Sequence, residues 1–145
     1  MSVAFVDSSV IVSLGLNESA APDVRKRLVK FEALCASPLL EAEYASACRR
    51  ENATPDARLL DLLEWVMVRR SLSPEISRTL HAGYVRGAEC HHIATALYLA
   101  PDAGELTFLG MTCGSRLWHA RLDFRSEADG GSNPRASVHG TLAST

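Results

Sequence analysis

Asp7, Glu41, Glu43, Glu89, His91 and His92 are the side chains whose types and spacing could do chemistry. Asp7 directly follows Val3-Ala4-Phe5-Val6, an unbroken apolar run of the kind found in a strand buried on both faces. A carboxylate at the C-terminal end of such a strand stands where open α/β sheets bind their ligands. Ser8 and Ser9 come next, so a hydroxyl can cap the following helix or hold the carboxylate still; Asp7 also fits a plain helix cap. Glu41 and Glu43 lie two positions apart on a helix, about 200° around its axis, so one site would not be faced by both. Glu89 opens another helix, where a carboxylate also suits the positive end of the dipole without any ligand. His91 and His92 diverge by about 100° and do not chelate one ion, nor does Cys90 complete a zinc site. Carboxylates converging from separate elements are what hard cations such as Mg²⁺ and Mn²⁺ take, and such cations assist phosphodiester hydrolysis by water at both the nucleophile and the leaving oxygen.

The elements that must position these groups can be read in order. After the first strand, Val10 to Leu16 reads as a short helix ending near Gly15 and Asn17, and Asp23 to Phe31 as an amphipathic one. Leu34-Cys35-Ala36 is a short buried strand. Ser37-Pro38 has the form of an N-cap followed by proline at the first helical position, and that helix runs to about Arg50. Pro55 starts another helix through Leu63, and Trp65 to Val68 is apolar and rich in β-formers, with strand and helix both open. Ser73-Pro74 repeats the cap-plus-proline signal, Gly87 breaks that helix, and the next spans Glu89 to about Ala100. Leu106 to Met111 is a strand, Arg116 to Arg121 a helix, and a last strand is expected near Phe124. Alternating strands and helices imply a parallel α/β sheet with helices on both faces.

Composition bounds the function. The chain has 145 residues, enough for one domain with a real core. Its formal net charge of −2 supplies no overall basic field toward nucleic acid, which disfavours a generic nucleic-acid binder but not a metal-dependent nuclease. Cys35, Cys48, Cys90 and Cys113 are scattered without a C-x-x-C spacing, so no disulfide framework is expected, and a reducing cytoplasm is the simplest reading. Neither a signal peptide nor a membrane span is expected. Beyond Arg125 the chain turns to glycine and small polar residues, read as a disordered tail over 126–145.

Four stretches resemble the motifs of the PIN domain family, specifically its small VapC-type toxin nucleases. Ser2 to Val12 is similar to the family's opening: a hydrophobic strand, then Asp with small hydroxyl or amide residues, then an apolar helix. Ser37-Pro38-Leu39-Leu40-Glu41-Ala42-Glu43 resembles the second motif and aligns Glu43, not Glu41, with its acidic position. Glu89-Cys90-His91-His92-Ile93-Ala94-Thr95-Ala96-Leu97 resembles the third, usually Asp-Ala-x-His-x-Ala-x-Ala, with Glu89 at the acidic position and His92 at the His. Leu106 to Thr112, with Arg116-Leu117 after it, resembles the fourth. Together they cover roughly residues 1–125, in the family's order. The resemblance implies a PIN-like three-layer α/β/α fold with a central parallel sheet. It implies a metal-dependent endoribonuclease in which Asp7, Glu43 and Glu89 are catalytic and hold Mg²⁺ or Mn²⁺, supported by Ser8, Thr112 and His92. It also implies an RNA substrate, a cognate antitoxin whose tail blocks the site, and a homodimer.

The chain departs from the family at the fourth position, where Asp is common and the alignment places Thr112. A hydroxyl is a poorer cation ligand than a carboxylate. Glu105 lies at the other end of that strand, roughly 20 Å away, and Asp123 falls on a later element. The departure sets up an alternative: a PIN fold that has lost cleavage and binds RNA or protein. A phosphoacceptor receiver with Asp7 in its acidic cluster is disfavoured, because receivers carry a late lysine and none follows Lys30 here. Arg49, Arg50, Arg69, Arg70 and Arg116 could guide RNA phosphates, although each singly reads as ordinary solvated charge. Trp65 and Trp118 fit core packing better than base stacking.

Overall fold

The computed structural model describes residues 2–103, 105–111, 117–122 and 140–142. Six strands are formed in chain order: β1 (Ser2–Val6), β2 (Ala33–Ala36), β3 (Glu64–Trp65), β4 (Glu105–Met111), β5 (Leu117–Leu122) and β6 (Gly140–Leu142). The helices are α1 (Ser8–Gly15), α2 (Ala21–Leu28), α3 (Leu39–Arg50), α4 (Ala57–Leu60), α5 (Ser73–Ala82) and α6 (Gly87–Ala103). The sheet order is β3-β2-β1-β4-β5-β6. The first four of these strands run parallel, and β5 and β6 add antiparallel to the β4 edge. The expected α/β class, with a parallel central sheet, is the one found.

The burial of β1 explains why its run is apolar without interruption. Ala4 and Val6 face a core built with Val10, Ile11 and Leu14 of α1, Val24 of α2, and Leu40 and Tyr44 of α3. Val3 and Phe5 face the opposite core, with Ala96 and Ala100 of α6 and with Leu106 and Phe108 of β4. A strand whose side chains alternate between two buried faces has no place for a polar residue. The layers are therefore α1–α2–α3, the sheet, and α6 with α5 against it. Phe5 and Phe108 are register partners, and their rings stack with centroids 5.9 Å apart. Helices α1 and α3 both end with an asparagine in the left-handed region, Asn17 at φ 51° and Asn52 at φ 52°, which stops each helix as glycine often does.

Several local expectations change. Residues 117–122 form a strand rather than the expected helix, pairing with β4 from Met111↔Leu117 to Leu106↔Leu122. The open edge of β4 decides this, because a helix there would leave the main-chain groups of β4 unpaired. Pro55 opens only the single turn of α4, and of the run from Trp65 to Val68 only Trp65 is in a strand. Helix α2 begins and ends earlier than expected. Helix α6 takes in Gly87 and runs on to Ala103, so the break between α5 and α6 is 83–86. Within the stretch read as a tail, Gly140–Leu142 pairs with β5; main-chain ladder bonds need no apolar side chains. Phe124 lies outside the described residues. Among the described residues, no helix is long and apolar enough to cross a membrane.

Candidate active site

Chain connections leaving β1 lead to β2 on one side, while β4 returns on the other, so the topological switch point is the β1–β4 crevice. Asp7 sits at its mouth. Its main-chain N–H donates to the Leu109 carbonyl at 2.9 Å, carrying the β1–β4 pairing one step past the strand. Its carboxylate is the N-cap of α1, with Oδ2 accepting from the Ser9 N–H at 3.1 Å. The Ser9 hydroxyl also donates to Oδ2, and it accepts from the Met111 N–H at 3.1 Å. One hydroxyl thus ties the Asp7 carboxylate to the end of β4. Ser9, not the expected Ser8, does this.

Capping uses only one oxygen of Asp7. Oδ1 makes no hydrogen bond among the described residues, and its polar neighbour is His92 Nε2 at 3.9 Å. That nitrogen lies 2.5 Å from Glu43 Oε2, in the second turn of α3. Glu41, about 200° around the helix, is exposed, so the helical period makes the same choice between the two glutamates as the motif alignment. The imidazole of His92 is buried, only 1% exposed, whereas the Asp7 and Glu43 side chains remain 16% and 30% exposed. Its other nitrogen, Nδ1, is 3.2 Å from the hydroxyl of Ser37, which is fully buried at the end of β2. Helix α3 belongs to one layer and α6 to the other, so this contact closes the two layers over the C-terminal ends of the strands.

Ser37 was expected to cap α3, yet α3 has no side-chain cap, and the hydroxyl turns inward to the imidazole instead. The hydroxyl, imidazole and carboxylate stand in the order used by nucleophilic serine enzymes. Ser37 is 0% exposed, however, so no substrate carbonyl reaches it, and that chemistry is excluded. Sequence patterns conceal both serines: Ser-Pro before a helix reads as a cap, and nothing local separates Ser8 from Ser9.

Glu89 stands in the first turn of α6, half-buried, three residues before His92 and hence close to its face. It has no hydrogen-bond or ion-pair partner among the described residues. Among the described residues, the buried Nδ1 of His91 has no hydrogen-bond partner. Burial pushes the His91 imidazole below its ordinary range; the charge of His92 adds to this and Glu43 opposes it. Thr112, Arg116 and Asp123 lie outside the described residues. Glu105 pairs with Ser2 at the opposite end of β4 and is remote from the site.

The donor set suits a hard cation. Asp7 Oδ1 and Glu43 Oε1 are carboxylate oxygens with no hydrogen bond among the described residues, and no guanidinium or ammonium there pairs with either side chain. The described residues hold no ready-made group of three or more metal-ligating side chains. Mg²⁺ asks for less, commonly one or two carboxylates with waters completing its shell. Of the arginines considered as phosphate guides, Arg70 is engaged with Glu75 and Arg50 with Glu51. Trp65 packs against the α1–α3 core. No family model, curated protein or solved structure matches the chain.

Proposed function

We propose that this protein is a metal-dependent endoribonuclease resembling a VapC toxin of the PIN domain family, hydrolysing RNA phosphodiester bonds. The observation that carries the reading is the meeting of Asp7 and Glu43 on one buried imidazole at the mouth of the β1–β4 crevice, each with a carboxylate oxygen to spare. Asp7 and Glu43 would hold Mg²⁺ or Mn²⁺, with Glu89 reaching the same site from one turn before His92. The bound cation would activate water and offset charge on the phosphate and leaving oxygen. The chain's own groups do the positioning: Ser9 fixes Asp7, and His92 fixes Glu43. Glu89 replaces the more usual Asp, its extra methylene extending the reach from α6.

On this reading the partners are RNA, an antitoxin that covers the carboxylates, and a second copy of the chain, in the cytoplasm. The second reading, a PIN-like module that binds without cleaving, is favoured by Thr112 where the family has an acid. RNA cleavage by the purified protein with Mg²⁺ or Mn²⁺, against Asp7→Asn as control, separates them. Cleavage lost in the control supports the nuclease. Tight RNA binding without cleavage supports the module, and Thr112→Asp then tests whether the missing carboxylate is the reason.

A further inference from the structure

Building on the metal-dependent reading of this site, we propose that Ser37 and His92 form a buried positioning relay, in which the Ser37 hydroxyl donates to His92 Nδ1 and thereby sets Nε2–H to hold the Glu43 carboxylate toward the cation. His92 is nearly sealed from solvent and has a polar neighbour on each nitrogen. The two sides differ in kind. At Nε2 stand two carboxylates, Glu43 at 2.5 Å and Asp7 at 3.9 Å, and both act as acceptors when ionised. The proton of a neutral ring belongs on that side, because a bare Nε2 lone pair would face two anions. Nδ1 is then the acceptor, and Ser37, which can donate or accept, resolves as the donor.

The relay joins the end of β2 to α6 and α6 to α3. Each partner is fixed by a different element, so the chain of bonds acts across layers. Glu43 alone would be a flexible side chain with several rotamers. A donor on Oε2 selects one of them and leaves Oε1 open, the arrangement by which a neighbour orients a metal-binding carboxylate. Ser37 touches neither substrate nor cation and is a positioning residue.

Imidazole ¹H–¹⁵N correlation spectra at alkaline pH, with His92 assigned through His92→Gln, read the tautomer directly. Titration with Mn²⁺ followed by electron paramagnetic resonance reads the cation site without RNA. The wild type is expected to carry its proton on Nε2. Ser37→Ala should mix the tautomers and weaken Mn²⁺ binding roughly tenfold, whereas Ser37→Thr, which keeps the hydroxyl, should preserve both. A ring protonated on Nδ1, alone or with Nε2, overturns the relay, as does unchanged Mn²⁺ affinity in Ser37→Ala. If tautomer and Mn²⁺ response are as expected but RNA is not cleaved, the ribonuclease reading falls and the relay stands. A wild type that binds no Mn²⁺ overturns both.

Discussion

Two clusters of ionisable side chains lie against α6, and they are built on opposite terms. At one, Arg70 donates to both oxygens of Glu75, at 3.0 and 2.5 Å, and its guanidinium lies 4.9 Å over the ring of Tyr98. Every strong valence of Glu75 is answered, its charge is matched, and the result fastens the segment before α5 to α6. At the other, Asp7 and Glu43 share an imidazole, keep one oxygen each without a hydrogen bond, and have no paired cation among the described residues. A saturated cluster leaves no charge for a further ion to answer, and its cost appears only when one partner is removed. An unsaturated one holds negative charge that a further cation would relieve.

The largest expected effect falls on the unsaturated cluster. Asp7→Asn keeps the N-cap, since asparagine caps as well as aspartate, but removes the charge. RNA cleavage should drop to below about one-hundredth of wild type, at least the loss seen when a metal's outer partners are changed. Thermal stability should shift by less than about 0.5 kcal/mol. Retained cleavage would remove Asp7 from the site, and a large loss of stability would show that its negative charge serves the fold.

A packing change can test whether the unsaturated cluster depends on its scaffold. Gly15 of α1 packs against the ring edge and hydroxyl of Tyr44 in α3, where a Cβ would overlap both. Tyr44 cannot yield, because it is fully buried and its hydroxyl accepts from the Asp56 N–H at 3.0 Å. Gly15→Ala should therefore cost about 1–3 kcal/mol by overpacking. The same helices carry the Asp7 cap and Glu43, so Mn²⁺ affinity should fall as well, while the Arg70–Glu75 pair stays intact. Denaturant unfolding and Mn²⁺ titration of one preparation check both halves.

How far the sequence carried differs between backbone and site for physical reasons. The central strands, the end of α1 near Asn17 and Asp7 at the sheet's C-terminal mouth follow from local patterns that tertiary contacts leave in place. The helical pattern of residues 116–121 yields to a strand because their state depends on the open edge of β4, a tertiary fact. Glu43 and His92 each stand out in a separate motif, yet their contact across 49 positions is no property of either. Ser37 departs furthest from its local pattern, because its sequence neighbours argue for a cap while its partner is 55 residues away.

Breaking the saturated cluster should separate stability from activity. Arg70→Met leaves the Glu75 carboxylate, 11% exposed, without its partner. Because the Arg70 side chain is itself half exposed, solvent screening keeps the cost well below that of breaking a deeply buried pair. Cleavage per folded molecule should not change. The hydrogen bonds from Arg70 hold the Glu75 carboxyl below its ordinary range. A lowered folded value means this stabilisation is complete above the unfolded carboxyl's titration and is lost as pH falls through the folded one. The gap between wild type and Arg70→Met should thus be full at neutral pH and close in acid. A gap that stays constant with pH would assign the loss to the contact with Tyr98.

The smallest effect is expected at Arg50, whose pairing with Glu51 at 2.9 Å resembles the saturated cluster in distance but not in surroundings. The two side chains are 73% and 52% exposed, so water and salt already solvate both, and Arg50→Ala should change stability by less than about 0.5 kcal/mol. What makes it informative is RNA. A surface guanidinium held only by a solvated neighbour can exchange that carboxylate for a phosphate at little cost, whereas Arg70 would have to abandon a buried one. If Arg50 contacts the substrate, Arg50→Ala should weaken RNA binding across sequences and lower the salt dependence by about one ion's worth. An unchanged salt slope would leave Arg50 as ordinary solvated charge. The comparison then rests on burial: a short ion pair marks a closed cluster only where water is excluded from the carboxylate.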